Sequence, residues 1–256
     1  MKLFFRHMGQ GNPVIILHGL LGLSDNWATF GRQLADDFEV FIPDLRNHGQ
    51  SPHDNVFDFP SLVEDLSELI NDLGLKRLIL LGHSLGGKTA MSFALEYPDR
   101  VNKLVVVDIA PRKYPSNLEH KMLIDAMLKV DLAAAHSRSD IEKQLEPNVH
   151  SSRLRQFLLK SVYWKDNKSL DWRINLPVLK DSLPFIMEEI STSKKFQNPV
   201  LFVRGEQSDY ITDMDIPEIV RLFPQSTIKT LANASHWVHA DVPSEFYSLV
   251  HDFLIS

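Results

Sequence analysis

Short runs of consecutive apolar residues recur along the chain, and stretches with helical spacing separate them. The runs lie at residues 3–5, 14–17, 40–42, 78–81, 104–107, 200–203 and 228–231. Several runs are continuous rather than alternating, which is typical of strands that are covered on both faces. Strands and helices in alternation predict an α/β fold, with a mostly parallel twisted sheet and helices on both of its faces.

One of the intervening stretches illustrates how a helix is predicted. Ser61 and Glu64 have the spacing of a capping box, in which Ser61 would cap the helix. Apolar residues follow at helical spacing, at Leu62, Leu66, Leu69 and Ile70. Gly74 comes just after Leu73, and a glycine at this place commonly ends a helix.

The alternation fails between about Pro111 and Lys195. This stretch is rich in helix-forming residues, at residues 118–129, 141–145 and 154–161, and no strand pair of the core type is obvious in it. Core-type signals resume at Val200. We therefore expect one α/β core, formed by residues 1–111 and 195–256, and an inserted helical cap at residues 112–194. The alternative is a separate small domain beside the core.

A serine between two glycines follows the apolar run at residues 78–81, in the segment Gly82-His83-Ser84-Leu85-Gly86. A strand that turns into a helix within two residues forces the residue at the apex into a strained backbone conformation. Small residues two positions away on either side let that turn close. This pattern predicts a nucleophile elbow that presents the Ser84 hydroxyl. The alternative is a loop serine between flexible glycines.

A serine hydroxyl needs an imidazole to take its proton, and the imidazole needs a buried acid to orient it. On this fold the serine, the acid and the histidine follow in that order along the chain. His236 lies after the last predicted strand and before the terminal helix, so we expect it to be the base, with His239 as the alternative. No Asp or Glu completes a metal-ligand set with this pair, so we expect no metal.

Two aspartates compete for the role of the acid. Asp108 comes directly after the run at residues 104–107, at the same predicted sheet edge as Ser84. Asp209 follows the next strand, one residue later than the third position after Gly205, where many such enzymes keep their acid. Ser208 occupies that third position. We expect Asp108 to be the acid, and Asp209 remains the alternative; either aspartate could instead be a solvated loop carboxylate or a helix cap.

The segment His18-Gly19-Leu20-Leu21-Gly22 follows the strand at residues 14–17. The backbone N–H groups of Leu20 and Leu85 are expected to form an oxyanion hole. We interpret His18 as a buried residue that holds this loop, and Arg46 and His48 as part of a turn that packs against the elbow. The alternative for Arg46 and His48 is a place in the pocket wall. Lys88 is interpreted as a structural or rim charge.

Composition narrows the classes of partner. The chain has 256 residues, a formal net charge of -6 and no cysteine, and no block of like charges occurs in it. This excludes disulfides and cysteine nucleophiles, and it gives no indication of a nucleic-acid or membrane surface. The first apolar run is too short for a signal peptide, and no run approaches the length of a transmembrane helix. We expect a cytoplasmic monomer without a cofactor.

Five motifs together resemble the α/β-hydrolase family, and within it the YbfF-type bacterial esterases and the related α/β-hydrolase domain-containing protein eleven group. The motifs are His18-Gly19-Leu20 with Gly22, Arg46-Asn47-His48-Gly49 with Ser51, Gly82-His83-Ser84-Leu85-Gly86-Gly87-Lys88, Asp108-Ile109-Ala110-Pro111 and His236-Trp237-Val238-His239. The resemblance implies a serine esterase or an acyl-CoA thioesterase with a helical cap over its pocket.

The resemblance also implies that Asp108 is the acid, with Ser208 at the place where other families keep theirs. Asp209 and Ser208 remain candidates for an alternative acid or an auxiliary group. The chain departs from the family pattern twice. Asp209 stands where a residue without acidity is expected, and Ser235 replaces the glycine that usually precedes the catalytic histidine.

The sequence therefore predicts a hydrolase that acts through an acyl-enzyme on a small-molecule ester or thioester. Dehalogenases and epoxide hydrolases of this fold need a carboxylate at the elbow, and Ser84 excludes them. Carbon–carbon bond hydrolases and perhydrolases on the same fold remain alternatives, as does a small-molecule receptor that retains the triad. Aromatic residues of the inserted segment are candidates for the acyl pocket or for the core of the cap, namely Tyr114, Phe157, Tyr163 and Trp164.

Overall fold

The computed structural model describes residues 1–115, 118–165 and 169–256, and this part of the chain contains a central seven-stranded sheet. The strands of this sheet, in spatial order, are β1 (Phe5–Met8), β3 (Phe38–Pro43), β2 (Asn12–Leu17), β4 (Leu78–His83), β5 (Val101–Val107), β8 (Val200–Gly205) and β9 (Ser226–Leu231). Strand β1 pairs antiparallel with β3, and every other neighbouring pair is parallel.

Successive residues of each strand point to opposite faces of the sheet, and both faces are buried. In β2, Ile15 and Leu17 belong to one apolar cluster, whereas Val14 and Ile16 belong to a second cluster. Buried residues of α2 (Phe59–Asp72), α3 (Leu85–Glu96) and α8 (Ile216–Leu222) join the first cluster. Buried residues of α1 (Ala28–Leu34) and α10 (Pro243–Ile255) join the second, after the short helix α9 (Val238–Asp241).

The segment between β5 and β8 contains helices and one hairpin. Its elements are α4 (Leu118–Leu128), α5 (Arg138–Leu145), α6 (Ser152–Leu159), β6 (Val162–Lys165), β7 (Ser169–Trp172) and α7 (Leu176–Ile186). We call this segment the cap. The sequence predicts that it is helical, but β6 and β7 pair antiparallel, so the cap also contains a β-hairpin. The aromatic and β-branched side chains around Tyr163 favour a strand over a helix. The buried apolar residues of the cap belong to the first cluster of the sheet.

Two predicted boundaries are wrong for identifiable reasons. Helix α2 begins earlier, because Asp58 rather than Ser61 is its N-cap, and Asp58 Oδ1 accepts the N–H of Ser61 at 2.9 Å. The first strand lies at Phe5–Met8 rather than at residues 3–5. It is an edge strand with polar residues inside it, so an apolar run marks only its beginning. The end of α2 is confirmed, because Gly74 adopts a φ of 67° just after it.

The parallel strands all point one way, so the loops that follow β2, β4, β5 and β8 emerge at the same edge of the sheet. Crevices beyond the carboxyl ends of parallel strands are where open α/β sheets bind their ligands. None of the described helices has the length and hydrophobicity of a membrane span.

Candidate active site

Ser84 occupies the turn between β4 and α3, with φ 52° and ψ −119°, and it is 6% exposed. A Cβ on Gly82 would lie 2.2 Å from the carbonyl oxygen of Gly86, and a Cβ on Gly86 would lie 2.4 Å from that of Leu17. No side chain fits at either position. The backbone therefore has the sharp strand-to-helix turn that the sequence predicts, and its two flanking glycines are required by these close approaches.

Asp108 lies directly after β5 and is completely buried. Its Oδ2 atom is 2.8 Å from Nδ1 of His236, and the same oxygen accepts a hydrogen bond from the hydroxyl of Ser208. Its Oδ1 atom accepts the N–H of Gly205 at 3.0 Å. Three groups therefore hold this carboxylate in one orientation: two come from the end of β8 and the loop after it, and His236 comes from the loop after β9.

Asp209 is placed differently, although it follows Ser208 directly. Its side chain is exposed, and its carbonyl oxygen accepts a hydrogen bond from the Arg112 guanidinium at 3.1 Å. The structure thus brings Asp108, and not Asp209, to the imidazole of His236. Ser208 contacts this pair through its hydrogen bond to Asp108.

His236 is fixed by its ring and by its backbone. Its ring stacks on Tyr210 with centroids 3.8 Å apart, and its carbonyl oxygen accepts a hydrogen bond from Nε2 of His83 at 2.9 Å. Burial, followed by the nearby His236 and His239, holds the pKa of His83 well below its usual value. His83 is therefore a neutral support for the loop that carries His236.

His239, the alternative base, stacks on Trp27 with ring centroids 4.1 Å apart. Burial, with a smaller contribution from His236, lowers the pKa of His239 to about 3. Its Nδ1 atom is buried and has no hydrogen-bond partner among the described residues, so it has no acid to orient it.

The serine that replaces the expected glycine at position 235 is also held. Its N–H and its hydroxyl both donate to Oδ2 of Asp241, at 2.8 and 2.6 Å. The positive φ of this loop lies at Asn233, with a value of 59°, and not at position 235. The substitution is accommodated, because His236 still reaches Asp108.

Ser84 and His236 line the same cavity, together with Leu20. Within the described residues, no direct hydrogen bond joins the Ser84 hydroxyl to His236. Catalytic hydrogen bonds of this type are often long without substrate and shorten in the complex.

The loop after β2 brings the N–H of Leu20 to this cavity, and no described residue accepts a hydrogen bond from it. Leu85 is the first residue of α3, so its N–H has no acceptor inside the helix. Gly19 lies so close to the elbow that a Cβ on it would be 3.3 Å from Cβ of Ser84. Among the described residues, the N–H groups of Leu20 and Leu85 therefore have no acceptor, and both residues line a cavity with Ser84.

Two buried histidines hold that loop, which confirms the structural interpretation of His18. Nε2 of His18 accepts the N–H of Leu45 at 3.0 Å, and its Nδ1 donates to the carbonyl of Gly19 at 2.8 Å. Nε2 of His48 accepts the N–H of Leu21 at 3.2 Å. Burial lowers the pKa of both histidines, that of His48 to about 3, and only a neutral ring can accept these bonds.

Arg46 and His48 belong to a packed turn rather than to the pocket wall. Arg46 makes a bidentate ion pair with the buried Asp65, at 2.5 and 2.8 Å. Lys88 is 1% exposed, and its Nζ donates to the carbonyl of Glu188 at 2.5 Å. Burial lowers the pKa of Lys88 to about 7. Lys88 is therefore a buried structural residue that joins α3 to the segment just after α7.

The structure separates the aromatic candidates for the pocket. Tyr114 and Phe157 line cavities at Ser84. Tyr163 and Trp164 line neither of these cavities. Both were expected to line the pocket or to form the core of the cap. This expectation is wrong for Trp164, which is 51% exposed on the hairpin. His120 of α4 lines both cavities at Ser84, and sequence reasoning missed it because a single histidine on a helix gives no signal. Its Nδ1 is buried without a partner among the described residues.

Comparisons with known proteins agree with this geometry. The profile of the alpha/beta hydrolase fold family matches residues 12–243, and the chain belongs to this family. The relatives include sn-1-specific diacylglycerol lipase ABHD11 of Danio rerio, which is 37% identical over 98% of this chain and 80% of the relative. They also include esterase YbfF of Escherichia coli (strain K12), which is 33% identical over 96% of this chain and 94% of the relative.

A solved structure of a marine microorganism esterase superposes with a TM-score of 0.96 at 41% identity, covering 98% of this chain and 99% of that one. The family and the fold that the five motifs indicate are confirmed, as is the prediction of a hydrolytic enzyme with esterase relatives.

Proposed function

We propose that this protein hydrolyses carboxylic esters through an acyl-enzyme formed on Ser84. The observation that carries the proposal is the 2.8 Å contact between Nδ1 of His236 and the buried Asp108, with His236 lining the same cavity as Ser84. A histidine that is oriented by a buried acid and shares a cavity with a serine hydroxyl is the arrangement that activates a serine.

Each step has a residue of this chain. The Ser84 hydroxyl attacks the ester carbonyl carbon while Nε2 of His236 takes its proton. Asp108 keeps the proton of His236 on Nδ1 and stabilises the imidazolium. The N–H groups of Leu20 and Leu85 stabilise the oxyanion, and one such donor typically contributes about 3 to 4 kcal/mol. His236 then protonates the leaving alcohol, and water releases the acid by the same route.

Ser208 supports this mechanism as a positioning residue. Its hydroxyl donates to Oδ2 of Asp108, the oxygen that faces His236. The hydrogen bond prevents the carboxylate from rotating away from the imidazole. The inserted segment at residues 112–194 acts as a cap, because His120, Phe157 and Met187 from it line the cavities at Ser84.

The substrate class follows from the relatives and the site together. ABHD11 is named a diacylglycerol lipase and YbfF an esterase, and both names denote cleavage of carboxylic esters. The two cavities at Ser84 have mostly apolar walls, so the substrate is a small-molecule ester without a large charged group beside the carbonyl. The same steps would cleave a thioester.

The test is turnover of p-nitrophenyl acetate and acetyl-CoA by wild type, Ser84→Ala and Ser92→Ala. Ser92 lies two turns further along the same helix and serves as the matched control. We expect Ser84→Ala to lose at least about 10⁴-fold in kcat and Ser92→Ala to keep wild-type rates. Mass spectrometry of quenched reactions should find the acetyl group on the Ser84 peptide. Ester binding without turnover in wild type would identify a receptor and overturn the proposal.

A further inference from the structure

Ser84 lies where two cavities meet, and the two have different walls. Both are lined by Leu20, Ser84 and His120. Among the described residues, His236 lines only the first cavity and Leu85 lines only the second. The proposed general base, His236, and the proposed oxyanion-hole residue Leu85 thus line different cavities.

This division orients the ester. In the reaction proposed above, the leaving oxygen must lie near His236, which protonates it, and the acyl carbonyl must lie near the N–H of Leu85. We propose that the alcohol part of the ester binds in the first cavity, which we call the alcohol cavity, and the acyl part in the second, which we call the acyl cavity. This inference rests on the proposed function.

The alcohol cavity has aromatic walls and leads outwards. Phe157 and Trp237 contact each other edge to face with ring centroids 4.4 Å apart, and Trp27 lies in the same wall. Phe157 and Trp237 also line a neighbouring surface groove, which reaches Lys160. Flat rings bind well between aromatic side chains, and a long group can continue into the groove. The alcohol cavity therefore suits a large or aromatic alcohol.

The acyl cavity is bounded by buried side chains. Ile109 is 4% exposed and Ile186 is 3% exposed, and Met187 completes the wall on the cap side. The wall of this cavity also includes Lys88. The polar Nζ of Lys88 in the wall disfavours a long hydrocarbon chain, because this nitrogen must stay hydrogen-bonded to the carbonyl of Glu188. The acyl cavity therefore suits a short acyl group, and the substrate class is short-chain acyl esters of bulky alcohols.

One variant of each cavity tests the assignment. Met187→Ala enlarges the acyl cavity and Phe157→Ala enlarges the alcohol cavity. Phe185→Ala is the control, since Phe185 lies next to Ile186 on α7 but is 63% exposed. Two ratios of kcat/KM are measured for each protein: p-nitrophenyl octanoate over p-nitrophenyl acetate, and 2-naphthyl acetate over ethyl acetate. Both ratios are independent of the fraction of protein that folds.

We expect Met187→Ala to raise the octanoate ratio at least about tenfold and to leave the naphthyl ratio within about twofold. Phe157→Ala should lower the naphthyl ratio at least about tenfold and leave the octanoate ratio unchanged. Phe185→Ala should change neither ratio. The reversed pattern would overturn the assignment, and so would a Met187→Ala or Phe157→Ala protein that moves both ratios together or neither of them. The two possible failures are distinguishable. If the cavities are assigned wrongly, the activity still requires Ser84 but the ratios do not follow this pattern. If activity survives in Ser84→Ala, the proposed function itself is overturned.

Discussion

The carboxyl edge of the sheet and the cap place their residues at the site by different means. Ser84 and Asp108 each follow a parallel strand directly, and both have positive φ, 52° and 51°. The N–H of Ser84 donates to the carbonyl of Val107 at 3.1 Å, and that of Asp108 donates to Val203 at 2.8 Å. The hydrogen-bond ladder between neighbouring strands therefore continues into the two residues and fixes their positions.

The cap reaches the site through side chains. His120, Phe157 and Met187 come from three separate elements or loops of the cap, and they contact the cavities without backbone pairing to the sheet strands. Lys88 joins the two regions through a hydrogen bond to the carbonyl of Glu188. The comparison indicates that the positions of Ser84 and Asp108 depend on the backbone of the sheet, whereas the shape of the pocket can change with single side chains.

The largest expected effect is at the sheet edge. Asp108→Asn should lower kcat for p-nitrophenyl acetate by about 10⁴-fold, because an amide cannot hold the proton of His236 on Nδ1. Asp209→Asn is the matched control and should change kcat less than about twofold, since its side chain is exposed. A loss in Asp209→Asn with retention in Asp108→Asn would reassign the acid.

Ser208→Ala should have a smaller effect on the same region. The carboxylate of Asp108 keeps its bonds to Gly205 and His236, so we expect kcat to fall about tenfold with KM unchanged. Ser208→Thr keeps the hydroxyl and should restore most of the rate. Equal rates for Ser208→Ala and wild type would show that the hydroxyl does not position the acid.

Lys88→Met tests the connection between the sheet edge and the cap by its pH dependence. Burial lowers the pKa of Lys88 to about 7, from 10.5 when unfolded, so the unfolded chain binds more protons between these values. The free energy of unfolding of wild type should therefore rise with pH in that window, by about 2 kcal/mol between pH 7 and pH 9 relative to Lys88→Met. Urea denaturation at both pH values measures this difference, and a constant difference would contradict it.

The smallest effect is expected on the outside of the cap. Lys113 forms an ion pair with the carboxylate of Glu188 at 2.6 Å, while Lys88 binds the carbonyl of the same residue. Both partners of this ion pair are at least half exposed, so Lys113→Met should change the free energy of unfolding by less than about 0.5 kcal/mol. A loss well above about 0.5 kcal/mol would mean that this exposed ion pair also stabilises the docking of the cap.

The sheet and the elbow were predictable because their signals are local. Continuous apolar runs predicted six strands close to their observed positions, and the glycines around Ser84 predicted the turn, since backbone sterics act within a few residues. The same local reasoning failed at the start of α2, where Asp58 caps the helix in place of Ser61. Both residues are good N-caps, and only the path of the preceding chain decides between them.

The sequence alone determined the class of fold, the elbow at Ser84 and the order of serine, acid and histidine, because strand periodicity and turn sterics depend on near neighbours. Only the tertiary structure decided that Asp108 rather than Asp209 meets His236, that Ser208 holds that carboxylate, and that His120 reaches the site. These groups come from loops that are on the order of 100 residues apart, as Ser208 and Asp108 are. Their meeting depends on strand register and cap packing, which no local pattern encodes.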